Sequence, residues 1–251
     1  MEPPAATPQH DADGWARRAA EVDWPPGWSV VAVEETGSTN TDLLDAARAG
    51  APHRSVRVTA HQTAGRGRLD RRWDAPPGTN LLVSILLRDP PAALHEVTQR
   101  VALAGAAAAS RLAGVDVRLK WPNDLLVGGA KLAGVLAQAG LVGGRVDHVV
   151  VGMGMNVGWA PEGAARLGEV HHPLTVLREV LLTFDELPAD IHDRYRGALA
   201  TLGQRVRVEL PAGTVEGRAV EVERDGRLVV LDECGLSHRI DTGDVVHLRP
   251  A

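Results

Sequence analysis

The sequence predicts an α+β fold up to about residue 202, a mixed sheet with helices, followed by a small β-barrel. Strand-like apolar runs alternate with two long helical stretches in the first half of the chain. Paired glycines then punctuate a series of strands. From about Gln204 the apolar residues alternate with a period of two, and the strands become short.

The elements of the first half follow from local patterns. A helix begins at Ser38 or Thr39, since either residue can cap it, and it ends at Gly50. A second, alanine-rich helix spans 95–114 and also ends at a glycine. The strands of this half are predicted at 29–35, 55–60 and 81–88. The third of these, LLVSILLR, has the composition of a strand buried on both faces.

The second half contains strands joined by tight turns. Between 115 and 158 the pairs Gly128-Gly129 and Gly143-Gly144 suit hairpin turns with positive φ. Residues 174–201 have helical spacing. We therefore divide the chain into an N-terminal extension (1–28), an α+β domain (29–202) and a C-terminal barrel domain (203–251).

The extension is rich in proline, alanine and acidic residues, so we expect it to be disordered or loosely docked. Trp15, Trp24 and Trp28 can anchor part of it on the surface. It lacks the basic start and apolar run of a signal peptide. It is also too short to hold a winged-helix DNA-binding domain.

Composition excludes several classes of protein. The 251 residues carry a formal net charge of −5, whereas proteins that grip nucleic acid usually have a basic excess. No apolar run of membrane-spanning length occurs, so we expect no membrane partner. Cys234 is the only cysteine, which rules out a disulfide framework or a cysteine-based metal site. We expect a cytoplasmic protein.

The segment GRGRLDRR (65–72) is the most conspicuous candidate site. Its glycines let the backbone approach a ligand closely, and its arginines present planar forks to phosphate or carboxylate. It is not a phosphate-binding P-loop, because no Gly-Lys-Ser/Thr follows the glycines. A solvated basic loop or a nonspecific nucleic-acid patch stays an alternative.

The chain has only two lysines, and both lie near a second polar cluster. KWPND (120–124) places Lys120, Asn123 and Asp124 at a turn between strands, and Lys131 follows across a short hairpin. A compact ammonium group differs from arginine as a partner for phosphate. The cluster is also compatible with an ordinary turn.

Two weaker motifs complete the set. GMGMNVG (152–158) ends a strand with alternating glycines, which suits a cleft wall or a close approach of a bulky group. GSTN (37–40) caps a helix and can also hold a polar small molecule. We find no Ser/His/Asp or Cys/His nucleophile set, and the histidines lack metal-ligand spacing.

In order along the chain, GSTN, QTAGRGRLDRRW, KWPNDLLV, KLAGVL and GMGMNVG resemble biotin protein ligases. The resemblance runs from about residue 30 to 160 and weakly through the terminal barrel. It implies a catalytic domain related to class II aminoacyl-tRNA synthetases and lipoate ligases, followed by a Src-homology-3-like domain. Repressor members of this family carry an N-terminal DNA-binding domain, which residues 1–28 are too short to hold, so we expect the short form, a ligase that does not bind an operator.

The resemblance implies an activity. Such enzymes join biotin to ATP as biotinyl-5′-AMP and then transfer the biotin to a lysine of a biotin carboxyl carrier domain of acetyl-CoA carboxylase or a related acyl-CoA carboxylase. Mg²⁺ is implied with ATP, and we assign no metal ligands. We expect no DNA partner, and a monomer or weak homodimer.

The resemblance also implies site residues. The catalytic group comprises Lys131, Arg66, Arg68 and Asp124. The biotin-binding set adds Ser38, Thr39, Asn40, Gln62, Gly67 and Gly134. The ATP- and adenylate-binding set comprises Arg71, Trp73, Lys120, Asn123 and Asn156.

The chemistry agrees with these residue types. An ionised carboxylate needs no base to attack the α-phosphorus, but it needs alignment and positive charge. A closed arginine loop would also shield the acyl-adenylate from water. The lysine amine of the second step must lose a proton, and we hypothesise that Asp124 steers or accepts it.

Two other functions compete. A lipoate–protein ligase of the same fold shares the apolar pocket and the lysine, but KWPND together with GRGR favours biotin. A nucleic-acid-binding regulator would use the arginine loop, and the net charge of −5 opposes it. Labelling of an acceptor protein with biotin or with lipoate separates the two ligases. A gel-shift assay tests for the nucleic-acid-binding regulator.

Overall fold

The computed structural model describes residues 14–69, 71–91, 93–210 and 213–248. The first half contains α1 (Trp15–Ala20), β1 (Ser29–Thr36), α2 (Thr39–Arg48), β2 (Ser55–Gln62), β3 (Leu81–Arg88), α3 (His95–Ala113), β4 (Val117–Lys120) and β5 (Asp124–Val127). The second half contains β6 (Ala130–Val142), β7 (Arg145–Met155), α4 (Pro173–Asp185), α5 (His192–Ala198), β8 (Arg205–Leu210), β9 (Gly213–Val222), β10 (Leu228–Leu231), β11 (Ser237–Ile240) and β12 (Asp244–His247).

Within the described residues, seven strands form one mixed sheet in the order β1-β2-β3-β7-β6-β5-β4. Only the β1–β2 pair is parallel, and the other neighbours are antiparallel. The glycine pairs Gly128-Gly129 and Gly143-Gly144 have positive φ and close the β5–β6 and β6–β7 hairpins, as predicted. The α+β fold class is confirmed.

Helices cover both faces of the sheet, which explains the apolar sequence of β3. One face packs against α3, and α4 packs on α3 in turn. The other face carries α2, whose Leu43 and Ala47 contact Leu86 and Val150. Every residue from Leu81 to Leu87 is buried because the strand has helices on both sides.

The C-terminal strands form a separate antiparallel sheet, consistent with the predicted Src-homology-3-like barrel. In the described part of the chain its order is β11-β10-β9-β8-β12. Its inward residues, such as Val206, Val208 and Val230, are fully buried and alternate with exposed ones. This sheet contacts the segment that links β4 and β5 of the large sheet. There the buried Trp121 donates its indole N–H to the carbonyl of Gly226 at 2.9 Å.

One prediction about the fold needs correction. The N-terminal extension is not disordered or loosely docked over residues 14–28, because Trp15 (1% exposed) and Trp28 (8%) enter the core and α1 packs on β1. Residues 1–13 lie outside the described chain.

The helical spacing predicted over 174–201 corresponds to two helices, α4 and α5. They are separate because Pro188 lies between them and lacks the N–H that helix continuation requires.

No helix in the described ranges is long and apolar enough to span a membrane.

Candidate active site

A cavity of about 270 Å³ opens beside the N-terminus of α2, between the large sheet and the loop at 65–73. The loop and the strand ends meet there although they are far apart in sequence. Every predicted site residue except Lys120 lines this cavity, namely Ser38, Thr39, Asn40, Gln62, Arg66, Gly67, Arg68, Arg71, Trp73, Asn123, Asp124, Lys131, Gly134 and Asn156.

The start of α2 forms one wall. Ser38 is the N-cap residue of this helix, as predicted, but its side chain makes no capping hydrogen bond. Thr39 instead directs its backbone N–H and its hydroxyl at Gln62 Oε1, at 2.8 and 3.0 Å. The Ser38 hydroxyl makes no hydrogen bond with the described residues, so it is available to a ligand in the cavity.

Asn40 lies flat on the sheet over Gly152. A Cβ at Gly152 would overlap the Asn40 side-chain oxygen, so glycine is required for this close approach. The Asn40 amide donates to Gln138 Oε1 at 2.7 Å and to the carbonyl of Leu136 at 3.3 Å. The first glycine of GMGMNVG therefore makes room for a polar group of the site.

The arginine loop closes on itself as a tight hairpin. The Gly67 N–H donates to the carbonyl of Arg71 at 2.6 Å, and the Trp73 N–H to the carbonyl of Gly65 at 3.1 Å. Arg66 lies in this hairpin, and its guanidinium makes no hydrogen bond or ion pair with the described residues. That unpaired positive charge suits a carboxylate or phosphate.

Two arginines of the loop contact the C-terminal sheet. Arg68 donates to Thr242 Oγ1 at 2.9 Å, to the Gly243 carbonyl at 3.3 Å and to Asn123 Oδ1 at 3.3 Å. Arg71 forms an ion pair with Asp244. Burial lowers the pKa of Arg68, while the Asp244 and Asp124 carboxylates oppose that shift. The C-terminal sheet thus supplies part of the site.

Lys131 and Asp124 form an ion pair at the bottom of the cavity. Lys131 Nζ lies 2.7 Å from Asp124 Oδ1, and the two side chains are 40% and 21% exposed. They meet because Lys131 lies opposite Leu126, and Asp124 projects from the same face of β5 as Leu126. The ammonium group is therefore held in place without being buried, and it also faces the Trp73 ring at 5.6 Å.

Trp73 packs across the sheet on two glycines. A Cβ at Gly154 would overlap its indole, and one at Gly134 would lie 3.3 Å from it. The indole nitrogen is buried and has no hydrogen-bond partner in the described chain. A flat aromatic surface fixed in this way can stack on a planar ring.

Asn156 lines the cavity, but the fold engages its amide. It donates to the carbonyls of Ala165 at 3.0 Å and Lys131 at 3.4 Å, and its oxygen accepts from Asn80 at 3.3 Å. Asn80 also accepts the N–H groups of Val157 and Trp159. The two amides together fix the chain that leaves β7.

Lys120 is the predicted site residue that the structure does not bring to the cavity. Its charge acts instead on His247 of the C-terminal sheet, whose pKa is lowered first by burial and then by Lys120. The reason is its position at the end of β4, the outermost strand, where a long side chain can turn toward the second sheet.

Sequence reasoning missed several polar residues of the site. Ser84 and Asn80 are almost fully buried, and Gln138 lies at the cavity rim. Ser84 had a signal in the sequence, since it is the one polar residue between the apolar residues of LLVSILL. Thr242 and Asp244 had none, because their role depends on how the two sheets meet.

Carboxylates are present on the cavity wall, at Asp74, Asp124 and Asp244. Across the described ranges, however, no three His, Cys, Asp or Glu side chains form a group that could hold a metal ion. A divalent cation at this cavity would need ligands from a bound molecule such as a nucleotide phosphate.

Comparisons with known proteins agree with this geometry. Residues 32–156 match the biotin/lipoate A/B protein ligase family, and residues 201–248 match the biotin protein ligase C-terminal domain. The chain is 37% identical to the biotin–acetyl-CoA-carboxylase ligase of Mycobacterium tuberculosis, over 89% of this chain and 91% of that one. It is 34% identical to the ligase of that name from Paracoccus denitrificans, over 67% and 73% of the two chains.

A solved structure shows the same fold. The biotin protein ligase of Aquifex aeolicus, in complex with biotin and ATP, superimposes with a TM-score of 0.74 and 26% identity. The alignment covers 88% of this chain and 99% of that one.

Proposed function

This chain belongs to the biotin/lipoate A/B protein ligase family, and we propose that its cavity performs both steps of protein biotinylation. The enzyme is an ATP-dependent biotin ligase that activates biotin as biotinyl-5′-AMP and transfers the biotin to a lysine of a carrier protein. The observation that carries the proposal is the convergence of the arginine loop, Lys131 and the glycine-lined end of β7 on one cavity.

In the first step the biotin carboxylate attacks the α-phosphorus of ATP. A C(O)–O–P bond forms, the bond between the α-phosphorus and the bridging oxygen breaks, and pyrophosphate leaves. Arg66 has no ion-pair partner among the described residues, and Lys131 pairs with Asp124. Both positive charges meet the negative charge that develops in the transition state. The Trp73 indole provides a surface for the adenine.

Biotin binds at the start of α2. The hydroxyl of Ser38, which has no partner in the described part of the chain, and the side chains of Thr39, Asn40 and Gln62 face its ureido ring. Gly134 leaves room beside Lys131 for the carboxylate end. Hydrogen bonds to several sides of a small ring favour a ligand with both donors and acceptors.

In the second step the acceptor amine attacks the acyl carbon, and AMP leaves. The amine of the carrier lysine must lose a proton to attack. Asp124 is a carboxylate on the cavity wall, beside Lys131, which is proposed to meet the phosphate. We assign Asp124 as the group that steers or accepts this proton. The arginine loop shields the acyl-adenylate from water while the acceptor approaches.

Mg²⁺ accompanies ATP in this proposal. Mg²⁺ commonly binds through one or two carboxylates together with substrate phosphates, and the cavity carboxylates fit that pattern. Asp124 and Asp74 are the candidates to hold it. When bound, it neutralises phosphate charge.

We also keep as predictions that the acceptor is the carrier domain of an acyl-CoA carboxylase and that the enzyme works in the cytoplasm. The oligomeric state, a monomer or weak homodimer, stays a prediction too. The same holds for the division of the chain into three segments after residues 28 and 202.

The test mixes the protein with biotin, ATP, Mg²⁺ and a biotin carboxyl carrier domain, and measures the mass of the carrier. We expect one biotin on one carrier lysine. Lys131→Ala should lower the rate of adenylate formation roughly 100- to 1,000-fold, since it removes a charge that meets the transition state.

Lys120→Ala is the matched control, because it removes the chain's other lysine, which does not line the cavity. We expect at most a few-fold change in its rate. Labelling with lipoate in place of biotin would redirect the proposal to the lipoate branch of the family. If the folded protein attaches neither biotin nor lipoate to the carrier, the ligase proposal is refuted.

A further inference from the structure

A second cavity, of about 280 Å³, lies where the large sheet meets the C-terminal sheet. Ala137 and Ala139 of β6 line this cavity, whereas Gly134 and Gln138 of the same strand line the active site. Since alternate residues of a strand point to opposite faces, the two cavities lie on opposite faces of the large sheet. The second cavity is on the face that carries α3, and the first turns of that helix form one of its walls.

Two polar side chains in the wall of the second cavity lack hydrogen-bond partners. Gln99 of α3 is 7% exposed and Tyr195 of α5 is 2% exposed, and neither side chain makes a hydrogen bond with the described residues. Burial raises the pKa of the Tyr195 hydroxyl, so this group keeps its proton at neutral pH. A buried amide or hydroxyl without a partner costs free energy. Both groups therefore favour a molecule in the cavity that can donate and accept hydrogen bonds.

The rest of the wall offers apolar surface and a fixed aromatic ring. Leu94, Ala137 and Val149 contribute aliphatic groups, and the Trp121 ring is held by the hydrogen bond of its indole N–H to the Gly226 carbonyl. A cavity of about 150 Å³ engineered in another protein holds benzene. The second cavity, at about 280 Å³, thus has room for one ring that carries a small polar group.

The charged groups of the second cavity already have partners. Among the described residues that line it, only Arg68, His95 and Asp241 can carry charge. His95 Nε2 lies 3.0 Å from Asp241 Oδ1, and Arg68 donates to Asn123 and Thr242. An ionised ligand would find no unpaired opposite charge, and burying an unpaired charge costs more than burying a neutral amide. The cavity therefore suits an uncharged ligand.

We propose that the second cavity binds a small uncharged aromatic carboxamide, and that this ligand favours the arrangement in which Arg68 joins the arginine loop to the C-terminal sheet. A primary carboxamide has an acceptor oxygen and two donor hydrogens, which is enough to pair with the Gln99 amide and the Tyr195 hydroxyl. Its ring packs against Trp121 and the aliphatic part of the wall.

Arg68 links the two cavities, since it lines both. Its partners Asn123 and Thr242 also line the second cavity, so a ligand there packs against the groups that hold the Arg68 guanidinium. In the proposed function the same arrangement places the arginine loop at bound biotin. Two ligands that favour one arrangement of a protein tighten each other's binding.

Benzamide is the probe for this site. Titration into protein with ¹⁵N-labelled tryptophan follows the indole signals by NMR, and the signal that Trp121→Phe lacks belongs to Trp121. We expect benzamide to shift this signal in a saturable way and to leave the signal of Trp24, which lies outside the cavity, in place. Benzoate has the same shape with a negative charge, and it should bind about tenfold more weakly.

Biotin decides which cavity the probe occupies. We expect saturating biotin to lower the Kd for benzamide about fivefold, because the two ligands favour the same position of Arg68. Benzamide bound in the active site would instead be displaced by biotin, and its Kd would rise. The sign of the change therefore separates the two cavities.

Two variants test the polar partners. We expect Gln99→Leu to raise the Kd for benzamide about tenfold, because the carboxamide loses its amide partner. Tyr195→Phe keeps the ring and removes only the hydroxyl, and it should raise the Kd about threefold. Neither residue lines the active site, so the Kd for biotin alone should stay close to the wild-type value in both variants.

Gln204→Leu is the matched control. Gln204 is exposed and lines neither cavity, so the same chemical change there should leave the Kd for benzamide unchanged.

A Trp121 signal that benzamide does not move would overturn the inference. So would a Kd for benzamide that bound biotin raises or leaves unchanged, or an equal Kd in Gln99→Leu and wild type. If Gln99→Leu does not fold, Tyr195→Phe decides the question. The coupling rests on the proposed function because it is read through bound biotin, whereas binding of benzamide alone does not. Wild-type protein that binds benzamide at Trp121 but shows no calorimetric binding of biotin would contradict the proposed function alone.

Discussion

Besides its candidate role in holding Mg²⁺, Asp124 combines two tasks that a single substitution can separate. Its carboxylate holds Lys131 at 2.7 Å, and in the proposed second step it steers or accepts the proton of the acceptor amine. An amide in its place can still accept a hydrogen bond from Lys131, but it cannot take a proton. Replacing Asp124 by asparagine therefore tests the second step.

We expect Asp124→Asn to slow transfer from preformed biotinyl-AMP about 100-fold, in the range of general-base contributions. A free lysine amine has a pKa of about 10.4, so the variant's rate should rise steeply with pH as more amine is deprotonated. The wild-type rate should depend less on pH. Single-turnover transfer at several pH values measures both quantities.

Full-rate transfer by Asp124→Asn at neutral pH would remove Asp124 from the proton-transfer role. Adenylate formation by the same variant is measured separately, because Asp124 also pairs with Lys131 and is a candidate Mg²⁺ ligand in the first step.

At the scale of elements, β7 shows why a strand near a ligand can require glycine. Gly152 lies under Asn40 and Gly154 lies under the Trp73 indole, and a Cβ at either position would overlap these side chains. Gly152 and Gly154 are alternate residues of β7, so both lie on the face of the strand that lines the cavity. Because these two positions have no side chain, Asn40 and Trp73 pack directly on the backbone of the strand.

We expect Gly154→Ala to raise KM for ATP about tenfold, because the added methyl group displaces the Trp73 indole, which in the proposed function faces the adenine. The KM for biotin should change less. Steady-state adenylate formation with each substrate varied measures this.

Gly197→Ala in α5 is the control, since a Cβ there meets no other atom within 4 Å. It should leave both KM values unchanged and make the helix slightly more stable. Equal KM values for ATP in Gly154→Ala and wild type would show that the indole position does not matter for nucleotide binding.

At the scale of the whole molecule, the two sheets are joined near the active site. Trp121 is 1% exposed; its backbone N–H donates to Thr201 Oγ1 at 3.0 Å and its indole N–H to the Gly226 carbonyl. Arg68 and Arg71 of the arginine loop also contact the C-terminal part, at Thr242 and Asp244. The C-terminal sheet therefore stabilises both the KWPND turn and the arginine loop.

We expect Trp121→Phe to lower the free energy of unfolding by about 2 kcal/mol, because it removes the indole donor and leaves a buried carbonyl unpaired. Urea denaturation followed by circular dichroism measures the change. Trp24→Phe provides a comparison, since Trp24 donates its indole N–H to the Ala19 carbonyl at 2.9 Å but is only partly buried. A loss in Trp121→Phe no larger than in Trp24→Phe would contradict this view of the junction.

Much of the fold could be predicted because its signals are local. The apolar run of β3, the alanine-rich α3 and the paired glycines each depend on neighbours in the chain. The arginine loop, Asp124 and Lys131 stand out in the sequence as motifs, although each motif also fits an ordinary loop or turn. Their roles in catalysis come from the resemblance to biotin protein ligases and stay predictions.

Contacts between distant segments decided the rest. The burial of Trp15, the separation of Lys120 from the cavity and the contact of Arg71 with Asp244 depend on how the elements pack, which local patterns do not encode. The same holds for Ser84, whose hydroxyl has a meaning only beside Thr39 and Asn40. Residue types and spacing are local properties of the chain, whereas hydrogen-bond partners and burial arise only when the sheets and helices come together.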